Sequence, residues 1–288
     1  MPAGCVVGPR ARGRGAKEKI RPLMDRLFAH STPALYDRYM GPLLFEPYAK
    51  LVAERCAALE PDRILETATG TGIVTRAVHR AVPWAEIVAT DINSAMLEFA
   101  AQALISEHVS FEHADAQNLP FAGGSFDPVL CQFGVMFLAD KLRANQEARR
   151  VLRPNGHYLM VTYDLLELNP IPKAAQDAVS ALFGHAPFDY MERGPFCYPD
   201  PARIKHDLLA AGFTEVEIET AKLSSRVNAR NAAQGLVFGS PFRSEIERRD
   251  PSALDRAAEV VAQTLLRWDG KDAPMSAHLV TASTFVAA

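Results

Sequence analysis

The chain of 288 residues predicts an α/β fold built on a doubly wound sheet. Three observations carry the prediction. Short apolar runs alternate with helix-like segments along most of the chain. The runs are nearly continuously apolar, as burial on both faces of a parallel sheet requires. A loop with two glycines follows the first run, and an acid ends the second run about twenty residues later, the spacing that places a nucleoside across the carboxyl ends of neighbouring strands.

Each element has a local reason. Ser31-Thr32-Pro33 reads as a cap with proline in the first turn, opening a helix through Met40. Glu46-Pro47 starts another, with Leu51, Val52, Arg55, Cys56 and Leu59 on one face. Strands are predicted over residues 63–67, 86–91, 109–113, 128–133 and 157–163, with helices over 73–81, 94–104 and 142–152 between them. Asn93 or Ser94 suits the cap of the second of these helices. Ala211-Gly212-Phe213 reads as a helix end feeding a sixth strand over 214–220, and a seventh covers 277–282. Residues 164–201 and 223–269 exceed what the sheet needs. They carry helices near 174–183, 232–238 and 252–268 and are expected to form lid insertions in a single domain spanning 31–288.

The glycine loop reads Glu66-Thr67-Ala68-Thr69-Gly70-Thr71-Gly72. A dinucleotide loop needs a third glycine where this chain has Thr75, and no Gly-Lys-Ser/Thr triplet exists to cradle a phosphate. A carboxylate at Glu66 repels a pyrophosphate and suits a ligand bearing an ammonium. S-adenosylmethionine meets both conditions. Gly70 and Gly72 let backbone amides approach its methionine part, and Asp91 has acceptor capacity for both ribose hydroxyls.

With these residues in view, the chain resembles the class I S-adenosylmethionine-dependent methyltransferases, in the branch that includes the ubiquinone/menaquinone-biosynthesis C-methyltransferases. The matching pieces are residues 65–72, 89–97, 114–121, Ser125-Phe126-Asp127 and 150–156, in order and at family-like spacing. The resemblance runs from about Tyr36 to Val161 and more weakly to the C-terminus. Alanine at position 68 departs from the family's usual glycine. The resemblance implies a Rossmann-like sheet of order 3-2-1-4-5-7-6 with the last strand antiparallel. It also implies cofactor contacts at Glu66, Ala68, Thr69, Gly70, Gly72, Asp91, Ile92, Met96, Asp115 and Ala116. Gln132 and Phe133 would border the methionine end, and Tyr36 and Tyr39 lie in a segment that folds over the cofactor in this branch. The Asn/Asp-Pro-Pro-Tyr/Phe motif of enzymes acting on exocyclic amines is absent after the fourth strand.

Composition narrows the partners. A formal net charge of −3 supplies no global field for nucleic acid or an anionic membrane. No apolar run reaches the roughly 18–20 residues that span a bilayer. Cys5, Cys56, Cys131 and Cys197 are scattered, without a Cys-x-x-Cys pair, so neither a structural metal nor a redox dithiol is expected, and a cytoplasmic setting is. Residues 1–30 read as a tail, partly disordered; its basic residues Arg10, Arg12, Arg14, Lys17, Lys19 and Arg21 leave open a nucleic-acid arm. No catalytic dyad stands at recognisable spacing, so the catalytic residues stay unassigned. His30, His185, Asp189 and Glu192 are candidate bases, and Phe183, Phe188, Tyr190, Met191, Phe196 and Tyr198 candidate pocket residues. The expected activity is methyl transfer to a small, fairly apolar acceptor such as a quinone-like ring, a phenol or a secondary metabolite. A nucleic-acid methyltransferase and a non-catalytic binding protein of the same fold remain open, as does a homodimer.

Overall fold

A computed structural model describes residues 33–184 and 188–284. The basic tail, the Ser31-Thr32 cap, His30 and His185 lie outside the described residues. After a π-helical run (Tyr36–Phe45), the elements are α1 (Glu46–Ala57), β1 (Arg63–Thr67), α2 (Ile73–Ala81), β2 (Glu86–Asp91), α3 (Ser94–Ala103), β3 (Val109–His113) and β4 (Val129–Gln132). There follow α4 (Lys141–Val151), β5 (His157–Tyr163), α5 (Pro170–Phe183), α6 (Tyr190–Arg193), α7 (Pro201–Ala210) and β6 (Glu215–Arg226). The last are α8 (Ala229–Gly239), α9 (Phe242–Arg249), α10 (Leu254–Leu265) and β7 (Asp272–Ser283).

The chain divides into two compact units. The sheet unit holds residues 46–164, 198–221 and the described residues from 277 onward. Its strand order is β3-β2-β1-β4-β5-β7-β6, the order expected. β1 to β5 run parallel, and β7 pairs antiparallel with β5 from His157↔Ser283 to Tyr163↔Ala277. Ile64, Leu65, Leu130 and Met160 of the central strands are each 0% exposed, which explains why those strands read as unbroken apolar runs. β6 differs: Glu215, Glu217 and Glu219 are exposed on an edge strand, and β6 and β7 both outrun the six or seven residues expected of them. Polar alternation hides such extensions from a reading based on apolar runs. Asn93 caps α3, accepting from the amides of Ala95 and Met96 at 3.0 and 3.1 Å.

The helical unit gathers residues 33–45, 165–184, 188–197 and 222–276, which take in the second expected insertion, 223–269, and most described residues of the first, whose ends, Asp164 and residues 198–201, lie in the sheet unit. Within it α10 packs on α8 and α5, and α8 packs on the π-helical run. That last approach needs Gly235, where a Cβ would stand 2.9 Å from Tyr39 Cβ. The helix α9 was not expected: only Phe242 and Ile246 are buried, too few for a periodic signal in so charged a segment. Phe242 is nonetheless the hub of this unit, meeting the rings of Phe188 at 4.8 Å and Tyr190 at 5.6 Å. Arg249 lies over Phe188 at 4.9 Å and Phe183 at 5.6 Å. Of the residues expected to line a pocket, Phe188, Met191 and Phe196 are buried in the helical unit, while Tyr198 is buried in the sheet unit.

Candidate active site

The carboxyl ends of β1, β2 and β4 are tied together by threonines. Thr90 Oγ1 donates to the Glu66 carbonyl at 2.9 Å, Thr67 Oγ1 to the Leu130 carbonyl at 3.2 Å, and the Thr69 amide to the Thr90 carbonyl at 2.9 Å. From this frame the glycine loop turns into α2. Gly70 has φ +56°, and a Cβ there would meet nothing within 4 Å, so its α-carbon faces open space. Gly72 has φ +78°, and a Cβ would stand 3.1 Å from Ala100 Cβ.

The amides of both loop glycines bond within the protein. The Gly72 amide donates to the Thr69 carbonyl at 3.0 Å, closing the turn. The Gly70 amide donates to Asp91 Oδ2 at 2.8 Å, and the Asn93 amide to Asp91 Oδ1 at 2.8 Å. These bonds fix the Asp91 carboxylate at the mouth of the loop, and each oxygen keeps a second lone pair for a hydroxyl donor. Asp91 is half-buried; burial pushes its carboxyl up, against the pull of the Asn93 and Gly70 amides.

Glu66 is 2% exposed beneath the loop. Its Oε2 accepts from Thr75 Oγ1 at 2.6 Å, and Thr75 Oγ1 lies 2.7 Å from Thr69 Oγ1. Thr75, the residue in place of a third glycine, thus locks the loop to the acid. Burial pushes the Glu66 carboxyl up to about 7, opposed by the two threonine hydroxyls.

Beyond β3, Asp115 Oδ1 accepts from the Gln117 amide at 2.8 Å, an Asx turn that leaves Asp115 and Ala116 half-buried. The helix α4 anchors this loop: Glu147 accepts from the Leu119 amide at 2.9 Å, and Arg150 donates to the carbonyls of Leu119 and Phe121 at 3.0 and 2.7 Å. Ile92 is half-buried, its carbonyl 2.9 Å from His113 Nε2, and Met96 is buried in the first turn of α3.

At the end of β4 the backbone is strained. Phe133 has φ +52° and Ala68 φ +55°, both in the left-handed region that costs a side chain about 1–2 kcal/mol. Phe133 stacks on Tyr163 at 4.0 Å, and Tyr48 meets it edge-on at 5.4 Å. Gln132, half-buried, ends β4 beside it. Gly134 accommodates the alanine at 68: a Cβ at 134 would stand 2.5 Å from Ala68 Cβ and 3.0 Å from Cys131 Sγ. Gly134→Ala is therefore expected to destabilise the fold by about 1–3 kcal/mol. Ala68→Gly, removing both the clash and the strain, should restore most of that loss. Urea melts of the single and double variants check this coupling, and additive effects would contradict it.

These residues fit an adenosyl ligand: an open loop apex, a pre-aimed carboxylate for ribose and acidic charge where a phosphate would be repelled. The chain's residues 65–160 match the family described as "Methyltransferase domain". It is 30% identical over 217 residues to a demethylmenaquinone methyltransferase of Deinococcus radiodurans, covering 69% of this chain and 88% of that protein. The chain belongs to the class I S-adenosylmethionine-dependent methyltransferases. A ubiquinone/menaquinone biosynthesis C-methyltransferase of Pseudomonas aeruginosa is 32% identical over 205 residues, covering 65% of this chain and 80% of that one. Among solved structures, the Haemonchus contortus phosphoethanolamine N-methyltransferase 2 in complex with S-adenosyl-L-methionine aligns with TM-score 0.60 at 17% identity, over 93% of this chain and 60% of that one. The [4+2]-cyclase SpnF aligns with TM-score 0.56 at 19% identity, over 99% and 100%. At such identities the structures speak for the fold alone.

In this methyltransferase the expected loop residues Glu66, Ala68, Thr69, Gly70, Gly72, Asp91, Ile92, Met96, Asp115, Ala116, Gln132 and Phe133 all fall in the sheet unit. Tyr36 and Tyr39 belong to the helical unit, where Tyr36 stacks on Phe45 at 5.0 Å and Arg38 lies over the Tyr39 ring at 5.3 Å. Of the candidate bases, Asp189 pairs with Arg193 at 2.8 Å and Glu192 is exposed, both in the helical unit. Sequence reading did not single out Tyr48 and Tyr163, whose rings pack on Phe133 at the end of β4.

Proposed function

We propose that the enzyme methylates a small hydroxylated aromatic acceptor of the quinol class, at a ring carbon. The observation that carries this reading is the aromatic wall of Phe133 and Tyr163 at the carboxyl ends of β4 and β5, with Tyr48 of α1 packed edge-on against Phe133, on the edge of the sheet that also carries the loop after β1. The three rings are buried against one another, a hydrophobic backing that excludes water from the reacting centre. The names of the Deinococcus and Pseudomonas relatives support the same acceptor class.

S-adenosylmethionine, when bound, supplies an electrophilic methyl on a sulfonium. The chain's own work is orientation: Asp91 holds ribose hydroxyls, Glu66 supplies negative charge beneath the loop, and the aromatic wall aligns the acceptor for in-line attack. The test is incubation with S-adenosylmethionine and a short-chain demethylmenaquinol kept reduced, with products read by mass spectrometry. Gain of one ring methyl is expected. Turnover of phosphoethanolamine or RNA, with the quinol untouched, would overturn the reading.

A further inference from the structure

We propose that Lys141 is a positioning residue for the cofactor loop: its ammonium clamps the turn after β4 that presses against Ala68. This role concerns the cofactor site alone and is independent of the acceptor class. Phe133 and Gly134 carry the chain off β4 into a short 3-10 turn (Val135–Phe137), and α4 follows. Gly134 lies so close to the glycine loop that a Cβ there would stand 2.5 Å from Ala68 Cβ. Val135 and Met136 are buried. The turn and the cofactor loop therefore share a close-packed contact, and displacing one strains the other.

Two amides close the turn, Phe137 donating to the Gly134 carbonyl and Leu138 to the Val135 carbonyl, at 3.1 Å each. Lys141, the first residue of α4, reaches back over it. Its Nζ donates to the carbonyls of Met136 at 3.1 Å and Leu138 at 2.9 Å. One side chain thus ties the turn to the helix that follows it.

A cation is electrostatically disfavoured at this place. The N-terminus of a helix carries the positive end of its dipole. The helix α7, packed on α4, brings a second cation: Arg203 and Lys141 lie over the Tyr198 ring at 5.3 and 5.5 Å. Asp207 of α7 is the anion facing them, 3.8 Å from Arg203 Nε and accepting from the Tyr198 hydroxyl at 2.8 Å. Burial first, and the Arg203 charge second, push the Lys141 ammonium down to about 8, with Asp207 opposing. Burial also raises the Tyr198 phenol, which stays protonated. The turn itself, from Gly134 to Ala139, carries no titratable side chain. On α4, Arg143 and Glu147 bond the loop after β3 at the Gln117 carbonyl and the Leu119 amide, and Asp140 accepts from the Arg143 amide. A neutral donor would satisfy the same carbonyls without this penalty, but bonds from an ammonium are roughly twice as strong. The clamp is therefore firm below about pH 8, where Lys141 is charged, and slackens above it.

Titration calorimetry with S-adenosylhomocysteine tests this in wild type, Lys141→Met and Lys141→Arg, between pH 7 and pH 9 and well below the melting temperature. Lys141→Met should bind about 10-fold more weakly than wild type at pH 7. Lys141→Arg keeps a charge throughout and should bind within about threefold of wild type at pH 7. Wild-type affinity, divided by that of Lys141→Arg, should fall severalfold as pH rises through about 8. The ligand's own ammonium titrates alike against every protein, so this ratio isolates the lysine. The same ratio for Lys141→Met should stay flat. A variant that is merely less stable loses binding stoichiometry and keeps its affinity, which separates a clamp on the site from a general support of the fold. Wild-type affinity in Lys141→Met would overturn the assignment, and so would a ratio of wild type to Lys141→Arg that does not change with pH. If Lys141→Met fails to fold, that ratio decides alone.

Discussion

Asp91→Ala is expected to weaken S-adenosylhomocysteine binding by about 100-fold to 1,000-fold, or about 3–4 kcal/mol. The estimate follows from two ribose hydroxyls losing a charged acceptor, each bond worth about 1.5–3 kcal/mol with overlap between them. The wild-type carboxylate is held by the Gly70 and Asn93 amides at 2.8 Å each, so it meets ribose without a further ordering cost. Removing it also frees the Gly70 amide and loosens the apex of the loop. Asp91→Asn is a sharper probe. Its NH2 group faces one of those two amides whichever way the side chain flips, so the variant should recover only part of the affinity. Titration calorimetry of both variants provides the check, and wild-type affinity in Asp91→Ala would refute this role.

The second large effect concerns Glu66 and has opposite signs for stability and binding. The folded protein holds its carboxyl at about 7, above the ordinary value of 4.5. As pH rises from about 4.5 to about 7 the unfolded chain releases its proton first, so folding loses stability across this window and the loss levels off above it. The full penalty is about 3 kcal/mol in order of magnitude. Glu66→Gln keeps an oxygen to accept from Thr75 and has no charge to bury. It should therefore melt later than wild type at pH 8 and near it at pH 4.5. The same variant should bind S-adenosylmethionine more weakly at pH 8, having lost the anion opposite the ligand's ammonium. Binding at pH 7 should also release protons, read by calorimetry in buffers of different ionisation enthalpy. A variant that is less stable than wild type at pH 8, or that binds equally well, would contradict this account of the buried acid. The trade is the familiar one of a strained charge kept for function at a cost in stability.

Much of the sheet was legible because its chemistry is local. Ile64-Leu65 and the run from Ile87 to Ala89 read as strands buried on both faces, and of the two cap candidates, Asn93 and Ser94, the structure uses Asn93. The loop was legible as a strand-to-helix turn facing Asp91 from Glu66, Gly70, Gly72 and Asp91 together. What its atoms do was not: where the Gly70 amide points depends on Asp91, twenty-one residues away, and the role of Thr75 depends on the burial of Glu66. Gly134 illustrates the same limit, since its need for no side chain arises from Ala68 across the sheet. What Phe188 and Tyr190 pack against was not legible, because their partner, Phe242, sits in a charged helix without an apolar stripe.

The central claim is that the crevice formed by the glycine loop and Asp91 seats the adenosyl group. A crystal structure with S-adenosylhomocysteine tests it most directly. The ribose hydroxyls should lie within hydrogen-bond distance of both Asp91 carboxylate oxygens, with the homocysteine chain running past Gly70 toward Phe133. Density for the nucleoside elsewhere, or a ribose turned away from Asp91, would contradict it.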